Sequence, residues 1–74
     1  MTKQEAIQYL QEKIGDDEPV FVLRAKDRVA PLAVSTWAGM ASLAGARPNK
    51  IRGAMEQADA MSQWQLKNGD KIPD

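Results

Sequence analysis

Seventy-four residues make one small domain with a modest core. The chain has no Cys and no His, which removes disulfides, thiolate metal sites, the usual general base and the commonest nitrogen ligand. Ten Lys and Arg balance ten Asp and Glu, but unevenly. Residues 1–18 and 53–74 lean acidic. Between 24 and 52, Arg24, Lys26, Arg28, Arg47, Lys50 and Arg52 face Asp27 alone, a local surplus that could attract an anion.

The first helix is expected over about 3–14. Thr2-Lys-Gln-Glu5 fits a capping box. Ala6, Ile7, Leu10 and Ile14 share one face, and Gly15 offers a left-handed stop before the polar turn Asp16-Asp17-Glu18-Pro19. Val20-Phe-Val-Leu23 is β-branched and aromatic, so 20–25 reads as extended, with a short buried helix as the competing assignment. A single strand leaves backbone groups unpaired, and its expected partner is the same segment of another copy.

From Val29 to Ala46 there is no charged side chain, although 27% of the chain is charged. The second helix is expected within this run, over about 31–44, starting at Pro31 and stopping at Gly45. A helix that meets water normally carries charge on its wet face. Here Ala33, Val34, Trp37, Met40, Ala41 and Ala44 form one side, expected to meet the third helix. Leu32, Thr36, Gly39 and Leu43 form a second, with Ser35 and Ser42 as the polar edge. The second side is expected to meet the first helix or another copy of the chain. Pro31, two Gly and the many Ala argue against a membrane span, and no signal peptide is recognisable, so a cytoplasmic protein is expected.

The third helix is expected over about 48–66. Ile51, Ala54, Met55, Ala58, Met61 and Ser62 form its apolar stripe, while Arg52, Glu56, Asp59, Gln63 and Lys67 form a solvated face. Trp64 lies to one side of the stripe. Asn68-Gly69 ends the helix, and residues 69–74 are expected to be a tail. The expected fold is mostly α: a capped N-terminal helix and a short extended segment, then an antiparallel helical hairpin.

Three binding chemistries can be placed on this frame. Leu32, Thr36, Gly39 and Leu43, with Phe21 and Trp64, are candidates for a partner or oligomer interface, which makes a homodimer or higher oligomer and a protein partner the leading expectation. Ala41, Gly45 and Ile51 fall at helix-turn-helix offsets, which would put Arg47, Asn49, Lys50 and Arg52 at the start of a recognition helix for nucleic acid. An ordinary helical hairpin explains the same residues, and a DNA binder is normally basic overall. Arg24, Lys26 and Arg28 alternate and, with the ring of Phe21 nearby, could hold a nucleotide or another anion. No residues are assigned to catalysis, a metal or a cofactor, because the usual acid–base and nucleophile sets are missing.

The set Glu18-Pro-Val-Phe-Val-Leu-Arg-Ala-Lys-Asp27, Ala30-Pro31, Trp37-Ala38, Ala44-Gly45 and Lys71-Ile-Pro-Asp74 resembles small uncharacterised proteins of bacteriophages and prophages. The resemblance covers about three quarters of the chain. It implies a non-enzymatic accessory role, binding a host or phage macromolecule.

Overall fold

A computed structural model describes residues 1–73. Three helices follow in order: α1 (Lys3–Lys13), α2 (Ala30–Leu43) and α3 (Pro48–Asn68). α2 and α3 form the helical hairpin that the hydrophobic spacing predicts, and they pack along each other's length. The turn between them satisfies its own backbone. Gly45 takes φ +92°, its N–H reaches the Ser42 carbonyl, and the Ala46 N–H reaches the Ala41 carbonyl, which together make a Schellman stop. Pro31 and Pro48 sit in the first turns of α2 and α3, where a missing N–H costs nothing.

The capping box is present at α1. Thr2 Oγ1 accepts from the Glu5 N–H at 3.3 Å, and Glu5 Oε1 accepts from the Thr2 N–H at 3.0 Å. The C-terminus of α1 differs from expectation. Gly15 is not left-handed; the helix ends because Ile14 turns extended, at φ −108° and ψ 133°.

Residues 20–24 carry no regular structure, and no strand forms among the described residues. The chain pairs instead a few residues later, within itself. Asp27 and Lys71 form an isolated parallel bridge: the Arg28 N–H donates to the Lys71 carbonyl at 2.8 Å, and the Lys71 N–H to the Lys26 carbonyl at 2.9 Å. The expected tail is therefore tied down at Asp70 and Lys71. Its role is to satisfy backbone groups of 26–28 that an isolated segment would leave open.

The side of α2 that buries overlaps the expected one only at Val34 and Ala41. Ala30 and Ala38 are fully buried, with Pro31, Val34, Ser35 and Ala41 half-buried around them. Small side chains let the α2 backbone approach α3, where Ala58 and Met61 are buried. Trp37 and Met40, expected to meet α3, lie beside this contact and stay exposed. Met55 of the predicted α3 stripe is exposed too, whereas the solvated face of Arg52, Glu56, Asp59, Gln63 and Lys67 is as predicted.

Among the described residues, only Ala30, Ala38, Ala58 and Met61 are buried apolar residues, and no large side chain is fully enclosed. The Cα radius of gyration is 13.1 Å, against about 11 Å for a compact domain of this length. The excess comes from α1, which has no buried residue and no close backbone contact with α2 or α3.

Candidate functional surfaces

Two apolar surfaces result. The first is a groove of about 980 Å³ between α1 and the hairpin. Ala6, Ile7 and Leu10 form its α1 wall, residues 21–25 form its floor, and Val34, Trp37, Ala54 and Met61 face them from the hairpin. The Met1 amino group donates to Gln57 Oε1 and links the two walls at one end. Lys3, Arg24 and Lys50 also line the groove, against Glu5. The capping box turns Glu5 toward its own helix, and its carboxyl is held below the ordinary glutamate range by the Thr2 backbone N–H first and the Thr2 hydroxyl second.

The second surface is the outer side of α2. Val29, Leu32, Ala33, Thr36, Trp37 and Met40 border a shallow hollow of about 480 Å³, and Leu43 extends the stripe at 91% exposure. Leu32 and Met40 are 70% and 67% exposed. Trp37 borders both the hollow and the groove.

The residues singled out from sequence separate accordingly. Leu32, Thr36, Gly39 and Leu43 lie together on the open side of α2. Phe21, 86% exposed, lines the groove. Trp64 is half-exposed on α3 and borders neither surface. Arg47, Asn49, Lys50 and Arg52 are all exposed at the start of α3, with Asn49 and Lys50 at the groove. Their helix packs against α2.

Arg24, Lys26 and Arg28 are engaged differently. Arg28 Nε meets Asp70 Oδ1 at 2.9 Å, Lys26 gives its carbonyl to Lys71, and Arg24 turns to the groove. Sequence reasoning missed the part played by Gln65. Its side-chain amide donates to the Ala25 and Asp27 carbonyls, both at 2.8 Å, and holds the floor of the groove against α3. A glutamine at the edge of a helical stripe carries no signal of such a distant bond.

Among the described residues no cluster of His, Cys, Asp and Glu could hold a metal, and no helix is long and apolar enough to cross a membrane. No family model, curated protein or solved structure matches the chain.

Proposed function

We propose that the protein acts by binding, without catalysis, and that the groove between α1 and the hairpin takes an apolar segment of a protein partner. The observation that carries this is the unfilled space between two apolar walls, Ile7 and Leu10 on one side and Trp37, Ala54 and Met61 on the other. An amphipathic helix laid into such a groove covers apolar surface on both walls. Lys3, Arg24 and Lys50 at its margin favour a segment with acidic flanks, since complementary charge steers encounter and fixes register. On the phage-type resemblance the partner is a host or phage macromolecule met in the cytoplasm.

The test is affinity capture from a bacterial lysate with the wild-type chain and with a Lys3→Glu, Lys50→Glu variant. The expected result is an acid-flanked protein retained by the wild type and lost by the variant, with α-helical circular dichroism unchanged. Equal retention by both overturns the proposal. Nucleic acid retained at about 50 mM salt, where phosphate contacts are strongest, would move the assignment to Arg47, Asn49, Lys50 and Arg52.

A further inference from the structure

The outer side of α2 is a separate surface from the groove, and we infer that it is the seam of a homodimer. The accessible area is 6168 Å². A folded monomer of 8.2 kDa is expected to expose about 4,500 Å², an excess here of roughly 1,600 Å². A standard interface removes about 800 Å² from each partner. The surplus belongs to the whole chain, shared between the uncovered α1 with its groove and the outer side of α2, and it is large enough to include one interface of standard size.

The occupant follows from two features of the stripe. It lies within a run of 18 uncharged residues and so carries no charge code to select a different protein. The buried apolar residues are three Ala and one Met, so the cover must be present whenever the chain is folded. A second copy always meets that condition, as in obligate homodimers whose fold and association are one equilibrium.

The spacing also sets the geometry. Val29, Leu32, Thr36, Gly39 and Leu43 follow the three-four rhythm of a coiled-coil seam. An antiparallel pairing centred on Thr36 sets Val29 opposite Leu43 and Leu32 against Gly39 of the other copy, each pair occurring twice about a two-fold axis. Gly39 has no side chain to obstruct Leu32, which lets the backbones close, and opposed helix dipoles favour the antiparallel sense.

The chain has no native Cys, so one introduced thiol reports its own surroundings. Thr36→Cys, oxidised in dilute solution, is expected to give a disulfide-linked dimer in high yield, whereas Asp59→Cys on the solvated face of α3 stays monomeric. Leu32→Glu, followed by sedimentation, is expected to raise the dimer dissociation constant at least ~100-fold, because a buried carboxylate would lack a partner. Leu10→Glu in the groove is expected to leave that constant unchanged, which separates the seam from partner binding. Thr36→Cys linking no faster than Asp59→Cys overturns the inference, and so does a wild-type chain that sediments as a monomer.

Discussion

The Gln65 side-chain amide lies 2.8 Å from the carbonyl oxygens of both Ala25 and Asp27, 40 and 38 residues away. One side chain thereby satisfies two carbonyls that no strand partner serves, and fixes the approach to α2 against the far end of α3. Gln65→Ala is expected to lower unfolding stability by about 1–2 kcal/mol, since the Ala25 carbonyl loses its donor in a half-buried place while the Asp27 carbonyl keeps the Ala30 N–H. Gln65→Glu is expected to cost more, because a carboxylate beside two carbonyls repels where the amide donated. Urea denaturation of the three proteins checks the order. A Gln65→Ala protein as stable as wild type would show that water replaces the amide without loss.

The Arg28–Asp70 pair joins the same two segments at 2.9 Å, but the Arg28 side chain is more than half exposed. Solvent screens such a pair, so a double-mutant cycle of Arg28→Ala and Asp70→Ala is expected to give a coupling of no more than about 1 kcal/mol. The coupling is expected to shrink further at 1 M salt. A salt-independent coupling of several kcal/mol would mean that this bond, rather than Gln65 and the Asp27–Lys71 bridge, anchors the segment.

The capping box makes the α1 terminus sensitive to acid. The Glu5 carboxyl is held below its ordinary value by the Thr2 N–H and hydroxyl. A group whose folded pKa is depressed stabilises above its unfolded value, and that contribution fades as pH falls through the lowered folded value. Helical signal from α1 is therefore expected to be full at neutral pH and to decline in acid, below the ordinary glutamate range. Glu5→Ala is expected to flatten that part of the pH profile, as read by amide exchange at residues 3–6. An unchanged acid profile in the variant would assign the transition to other carboxylates.

Three glycines give a graded test of the fold and of the seam. Gly45 sits at φ +92°, so Gly45→Ala is expected to destabilise by roughly 1–2 kcal/mol. Gly53 is inside α3, and an added Cβ there meets nothing within 4 Å; Gly53→Ala is expected to stabilise by up to about 1 kcal/mol. Gly39 has equally open space within its own chain. On the antiparallel seam, however, it receives Leu32 of a second copy, so Gly39→Ala is expected to weaken dimerisation. Thermal unfolding at two protein concentrations checks all three, and equal stabilisation by Gly39→Ala and Gly53→Ala at both concentrations would contradict the seam.

The hairpin was legible because its signals are local. Pro31, Gly45, Pro48 and Gly69 mark helix ends through backbone chemistry alone, and Thr2 with Glu5 marks the first cap. The packing side of α2 was not legible. On a helix with apolar residues all round, hydrophobicity does not single out one face, and large side chains such as Trp37 draw attention from Ala30 and Ala38, which are the residues that bury. Small residues won because they bring backbones closest. The fate of residues 20–28 was hidden for a different reason. The Asp27–Lys71 bridge and the Gln65 bonds join positions about 40 residues apart, and no local pattern encodes them. Of the candidate site residues, Leu32, Thr36, Gly39 and Leu43 could be grouped by helical spacing. The groove was invisible, because it depends on where α1 stands relative to the hairpin.

That the uncharged side of α2 is a contact surface is tested most directly by sedimentation equilibrium of the wild-type chain from about 1 to 100 μM at neutral pH, a range that brackets ordinary association constants. The expected result is a mass of twice 8.2 kDa at the upper concentrations. A constant mass of 8.2 kDa across the range would contradict the account, leaving the outer side of α2 to meet water.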